Sequence, residues 1–163
     1  MTPMARFMKV SRERFERDWR EICPDIPAPW DALRLPRRAT AGAAGYDFFT
    51  PMGFVLEPGQ SVRIPTGIRA RIDEGWVLML FPRSSLGFKY RLALNNTVGI
   101  VDSDYFGAEN EGHIFIKFAN LGDKPVTVQP GDAVAQGVFV PFGIAEDDEA
   151  SALRVGGFGS TGR

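Results

Sequence analysis

Histidine and cysteine are almost missing from this sequence. The 163-residue chain holds one of each, His113 and Cys23. A Cys/His zinc site draws on three or four such ligands, so one chain cannot assemble one. A Ser-His-Asp triad would have to be built on His113 alone. No intrachain disulfide can form, which makes a reducing, cytoplasmic compartment the expectation. Long apolar runs are missing too. Nothing approaches the ~20 apolar residues of a membrane helix. The opening Met1-Thr2-Pro3-Met4-Ala5-Arg6 lacks the apolar segment of a signal peptide. Charge of one sign is also missing. Twenty acidic residues against 19 basic ones leave a net charge of −1, so neither nucleic acid nor a membrane is an expected partner. What remains for chemistry is carboxylates, hydroxyls, amides, arginines or a hard metal ion.

What is present reads as one ordinary folded domain. An apolar content of 44% over 163 residues is enough for a single core. The basic set is lopsided, with 15 Arg and 4 Lys. Arginine forks match phosphate and carboxylate oxygens, although a GC-rich codon bias gives the same skew. Ser11 to Ile22 reads as a helix capped by Ser11, with Phe15, Trp19 and Ile22 on one face and Arg12, Glu13, Glu16, Arg17, Asp18 and Arg20 on the others. Pro24 ends it, and the proline-rich run through Pro29 reads as an extended connector. From Leu33 onward the pattern becomes short strands broken by Gly and Pro. Ile68 to Ile72 alternates with period two, as do Ile114, Ile116 and Phe118. Trp76 to Phe81 is a continuous apolar run, read as a strand buried on both faces. Val126 to Val128 and Val134 to Val140 complete the set, with turns such as Glu57-Pro58-Gly59 and Gln129-Pro130-Gly131-Asp132 between them. The expectation is an all-β, distorted jelly-roll barrel. It spans 33–145, with an N-terminal helical extension over 1–32 and a mobile Gly-rich C-terminal arm over 146–163.

Five segments concentrate the residue types a phosphate site needs, and each has a plainer explanation. Asp47, after Gly45-Tyr46, can hold the waters of a hydrated Mg²⁺ or simply bond a turn. Pro82-Arg83-Ser84-Ser85-Leu86-Gly87 offers an Arg fork, two hydroxyls and a Gly-opened turn, either an anion cradle or a polar turn. Asn95 to Gly107 reads as a hairpin turned at Asn96 to Gly99, including Val98. It is followed by Asp102 at the end of an apolar run, where a carboxylate can act as a general base toward water. Asp102-Ser103-Asp104 could equally satisfy its own turn. Gln136 puts an amide in an apolar strand, where it needs a structural or a ligand partner. The tail Gly156-Gly157-Phe158-Gly159-Ser160-Thr161-Gly162-Arg163 could wrap a phosphate chain and stack Phe158 on a base, or stay an unstructured end.

In this order the five segments resemble the five motifs of the trimeric all-β dUTPase family, from about Leu33 to Arg163. Pro-Arg-Ser-Ser-Leu-Gly, Val-Gly-Ile-Val-Asp-Ser-Asp-Tyr and Gly-Gly-Phe-Gly-Ser-Thr-Gly carry the likeness. The resemblance implies hydrolysis of dUTP to dUMP and pyrophosphate with Mg²⁺, in a homotrimer whose sites are shared between subunits. This activity limits uracil in DNA and supplies dUMP for thymidylate synthesis. Asp102 would activate the water that attacks the α-phosphorus, and Tyr105 would lie under the deoxyribose. Asn96 with the hairpin backbone at Val98 and Gly99 would read uracil, and Asp47 would hold Mg²⁺ through water. Arg83, Ser84, Ser85 and Gln136 would contact the phosphates. Phe158 would cover the base while Gly159, Ser160, Thr161 and Arg154 meet the outer phosphates. Three features depart from the family pattern: an insertion at Ala108 to His113, an Arg154 one residue closer to Phe158 than usual, and the N-terminal helix. A dCTP deaminase on the same fold is a competing reading, but such a chain carries Ala-Arg where Gly87-Phe88 stands here. A regulatory binding module without catalysis is another, with the insertion and helix as its docking surface.

Overall fold

Strands of two to nine residues account for most of the regular structure in the computed structural model, which describes residues 1–157. In chain order the elements are β1 (Ala5–Lys9), α1 (Arg12–Ile22), β2 (Arg37–Arg38), β3 (Tyr46–Phe49), β4 (Phe54–Leu56), β5 (Ser61–Pro65) and β6 (Ile68–Ile72). There follow β7 (Trp76–Pro82), α2 (Ser84–Tyr90), β8 (Leu92–Leu94), β9 (Gly99–Val101), β10 (Phe115–Asn120), β11 (Val126–Val128) and β12 (Ala133–Pro141). The largest sheet runs β2-β3-β12-β7-β9, and a second runs β5-β10-β8. Two strand pairs, β1 with β6 and β4 with β11, close the periphery. Every pairing is antiparallel, as expected of a jelly-roll barrel.

The alternating rows behave as read. Ile68, Ala70 and Ile72 point into the core, as do Ile114, Ile116 and Phe118. β7 differs from its expected two-sided burial. Leu78 and Leu80 are buried, whereas Val77, Met79 and Phe81 are half-buried. An apolar run of this length therefore has one core face and one partly open face, which composition alone does not separate. β1 and α2 are among the elements that went unread in the sequence. β1 forms because Ala5 to Lys9 bonds along β6 in register, a tertiary partner invisible locally. α2 forms where a polar turn was expected, because Ser and Gly in a first helical turn look like turn residues. Arg91 ends α2 in the left-handed region at φ 53, its N–H bonding Gly87 and Leu86 carbonyls.

α1 is as expected in extent. Ser11 Oγ accepts from the Arg14 N–H at 3.1 Å, the usual N-cap bond. Phe15 and Trp19 are buried in a second small core with Val10 and Leu33, each contributing roughly 1.5–3 kcal/mol of apolar burial. Asp18, placed by its periodicity among the solvated faces, is instead buried. It meets His113 at 2.6 Å between Oδ2 and Nδ1, and Arg14 at 3.3 Å. Gly67 N–H donates to His113 Nε2 at 2.8 Å, so Nδ1 carries the hydrogen that goes to Asp18. Burial pushes the Asp18 carboxyl up, but the His113 hydrogen bond and the Arg14 guanidinium outweigh it and hold the group below the usual carboxylate range. A carboxyl lowered in the folded state stabilises fully above its unfolded value and loses that contribution as pH falls through the folded one. Asp18→Ala is therefore expected to destabilise the protein by about 2–3 kcal/mol at neutral pH, with the gap to wild type narrowing below about pH 4. Urea unfolding of both proteins at several pH values checks this, and a gap that stays constant into acid contradicts it.

Candidate active site

The sequence-predicted residues fall into two groups on the barrel. The first gathers on β3, β7, β12 and the start of α2. Asp47 on β3 stands opposite Gln136 on β12, and Gln136 stands opposite Phe81 on β7. The Arg83 N–H donates to the Val134 carbonyl at 3.0 Å, fixing where β7 hands over to α2. Arg83, Ser84 and Ser85 are all exposed there, and an open hollow of about 270 Å³ lies against Arg83, Ser84 and Phe88. Gly45 explains the neighbouring close approach. A Cβ at this position would sit 2.6 Å from Gln136 Oε1, so any other residue displaces the amide. The group is an arginine, two hydroxyls, a carboxylate and an amide, all suited to phosphate oxygens or to the waters of a hard cation.

The second group is built around β9. The loop before it is not the hairpin read from the sequence. β8 pairs with β10 and β9 with β7, so Asn95 to Val98 carries the chain from one sheet to the other. Thr97 sits at φ 68, and the Val98 N–H donates to the Asn96 carbonyl at 2.7 Å. A cavity of about 240 Å³ opens here between the sheets. Asn96, Gly99, Leu80, Leu94 and Phe115 line it, together with Arg63 and Lys117. Arg63 and Lys117 were not singled out in the sequence. They are cross-strand neighbours on β5 and β10; the alternation around Lys117 was legible, whereas Arg63 and the pairing were not. The Arg63 guanidinium also lies 4.1 Å from the Phe115 ring centre. This cavity and the Arg83 hollow share no lining residue.

Asp102 and Tyr105 follow β9 directly. Asp102 comes after the buried Val101 and is itself half-exposed. Its Oδ2 receives Arg154 Nη2 at 2.6 Å, while Arg154 Nε donates to Asp104 at 2.7 Å. Arg154 is thus the described part of the arm that reaches the site, and its guanidinium is 5.8 Å from the Tyr105 ring centre. Tyr105 is only 2% exposed. Burial pushes its phenol up, although the Asn110 hydrogen bond and the Arg154 charge oppose this, so the hydroxyl stays a donor. The arm is also anchored where Glu109 N–H donates to the Val155 carbonyl at 3.1 Å. Phe158, Gly159, Ser160 and Thr161 lie outside the described residues. Neither scarce residue joins either group. His113 packs against α1, and Cys23 is a half-buried thiol that burial pushes up.

Fold and donor set together define a class: all-β proteins that gather Asp, Arg, Asn and Gln side chains, donors and acceptors suited to phosphate oxygens. Comparison with known proteins narrows it. A protein-family model described as dUTPase matches residues 31–162. The deoxyuridine 5'-triphosphate nucleotidohydrolase of Lactococcus lactis is 42% identical over 80% of this chain and 89% of its own length. That of Bordetella pertussis is 43% identical over 79% and 89%. The crystal structure of a dUTPase from Streptococcus mutans superposes with a TM-score of 0.65 at 36% identity, covering 86% of this chain and 98% of that one. The chain belongs to the dUTPase family. Residues 1–30, including α1, precede the matched region.

Proposed function

We propose that this chain hydrolyses dUTP to dUMP and pyrophosphate, with Asp102 orienting and deprotonating the attacking water. The water oxygen bonds the α-phosphorus, the bond from that phosphorus to the α,β-bridging oxygen breaks, and the water's proton passes to Asp102. The observation that carries this reading is the position of Asp102. It directly follows β9, whose Gly99 lines the cavity and whose Val101 is buried, and its carboxylate holds the arm's Arg154. Phosphoryl transfer asks a protein mainly for positioning and charge stabilisation, which suits this donor set.

In this reading the β9 cavity takes the uracil. Asn96 and the backbone at Val98 and Gly99 bond its edge, and the closed walls reject a thymine methyl. Tyr105 lies under the deoxyribose and leaves no room for a 2′-hydroxyl. Arg83, Ser84, Ser85 and Gln136 hold the phosphates. The arm, 146–163, closes over the nucleotide, with Phe158 on the base and Arg154, Gly159, Ser160 and Thr161 on the outer phosphates. A homotrimer unites the two groups, since separate hollows in one chain can complete each other between chains. We assign 33–145 to the barrel and 1–32 to an extension attached through β1 and α1.

The cation that fits is Mg²⁺. Among the described residues no three His, Cys, Asp or Glu side chains cluster as a cage. One carboxylate, Asp47, beside an amide oxygen suits an ion that keeps its waters and shares phosphate oxygens. When bound, it would neutralise charge on the triphosphate. A dUTPase of phage phi11 of S. aureus is described with a structural Mg(II) ion. The product would feed thymidylate synthesis and removal of the substrate would keep uracil out of DNA.

One assay tests the whole reading. Pyrophosphate release is measured from dUTP, dCTP, dTTP and UTP, with Mg²⁺ and then with a chelator. Release from dUTP far above the other three, lost on chelation and restored by Mg²⁺, is the expected result. Equal release from all four, or none, overturns it. A sedimentation mass of three chains is expected alongside.

A further inference from the structure

The N-terminal helix and the segment 108–113, both read from the sequence as departures from the family pattern, pack on each other, and the segment reaches one atom of the proposed sugar site. The Tyr105 hydroxyl donates to the His113 carbonyl at 2.6 Å and receives Asn110 Nδ2 at 2.8 Å. The Asn110 amide has no freedom to turn over. Its Oδ1 accepts from the Gly112 N–H at 3.1 Å, which leaves Nδ2 facing the phenol. The insertion comes this close because Glu111 and Gly112 both adopt left-handed backbone, at φ 61 and 70. A Cβ on Gly112 would lie 2.7 Å from the Tyr105 carbonyl oxygen.

α1 holds that conformation in place. Ser11, already the helix cap, donates Oγ to Glu111 Oε2 at 2.7 Å. Arg14 donates to the Glu109 carbonyl at 3.3 Å. Asp18 fixes the His113 ring, and with it the carbonyl that Tyr105 uses. The cap and two positions along one side of α1 thus bind three positions of the insertion. A left-handed Glu111 costs about 1–2 kcal/mol, so these bonds are what keep it populated.

We propose that Asn110, held by the α1-clamped insertion, is a positioning residue for Tyr105 that sharpens rejection of a ribose 2′-hydroxyl. The inference rests on the reading that Tyr105 lies under the sugar. A ring pinned at its para oxygen cannot tilt away from an extra hydroxyl, and discrimination of this kind depends on placement to within about 0.5 Å. Loosening that oxygen lets the ring yield, so the wrong sugar gains more than the right one.

The test uses the full chain and kcat/KM for dUTP and UTP in wild type, Asn110→Ala, Tyr105→Phe, their double variant and Tyr105→Ala. Asn110→Ala is expected to reduce the preference for dUTP about tenfold, chiefly by raising kcat/KM for UTP. Tyr105→Phe removes the same hydrogen bonds from the other side and is expected to match it. The double variant is then no worse than either single one. An equal loss on both substrates in Asn110→Ala, or single effects that multiply in the double variant, overturns the proposal. A preference lost in Tyr105→Ala but intact in Asn110→Ala and Tyr105→Phe rejects the positioning role alone. A preference intact in Tyr105→Ala rejects the sugar reading and the proposal with it.

Discussion

Asp102→Asn is expected to lower kcat for dUTP about a thousandfold, within the range that loss of a general base usually gives, while affinity for the nucleotide stays near wild type. The substitution keeps the shape of the side chain and its ability to bond water. It removes the capacity to take a proton. It also removes one of the two carboxylates that hold Arg154, so a control is needed. Asp104→Asn breaks the other half of that contact without touching the proposed base, and its kcat is expected to stay within about threefold of wild type, in line with an exposed ion pair. Steady-state pyrophosphate release gives the rates. Calorimetric titration with a non-hydrolysable dUTP analogue gives the affinity. Turnover by Asp102→Asn near the wild-type rate removes Asp102 from the chemistry. An equal collapse in Asp104→Asn transfers the effect to Arg154.

Ending the chain after Val155 is expected to lower kcat about a hundredfold or more, because a segment that closes over substrate excludes water and completes the contacts. The barrel should not notice. The main core cluster is drawn from residues between Phe48 and Ala135, and the Glu109–Val155 backbone bond survives the cut. The thermal midpoint is therefore expected within a few degrees of wild type, against the 2–4 °C that 1 kcal/mol moves a domain near this size. Loss of activity with an unchanged midpoint assigns the effect to the arm. Full activity in the shortened chain removes the arm from the mechanism, whatever the midpoint does.

The legible parts of this protein were those written in short stretches of chain. Ser11 caps α1 through a bond three residues away, and alternation places Ile114, Ile116 and Phe118 inside. The five motif segments are local clusters in a fixed order, so the family they resemble could be seen without knowing the sheet. The illegible parts depend on partners far along the chain. Asp18 and His113 lie 95 residues apart, and a charged residue on a helix gives no local sign of burial. β8 and β9 flank a turn that resembles a hairpin, but each pairs with a different sheet. Arg63 entered the β9 cavity only once β5 was set against β10. The family resemblance implied phosphate as the target of Arg154, whereas in the structure it lies on two carboxylates.

That last contact makes substrate entry an exchange of ions. Asp102 and Asp104 would otherwise face an incoming triphosphate as uncompensated negative charge. With Arg154 between them, both carboxylates carry a counter-ion whose side chain is only 11% exposed. In the proposed cycle the nucleotide arrives with a cation of its own, and the guanidinium passes from the carboxylates to the phosphates. Asp102 is freed of its positive partner at the moment a water needs a base, and regains it when pyrophosphate leaves. In that cycle the arm ties the charge balance around one carboxylate to the position of a single arginine.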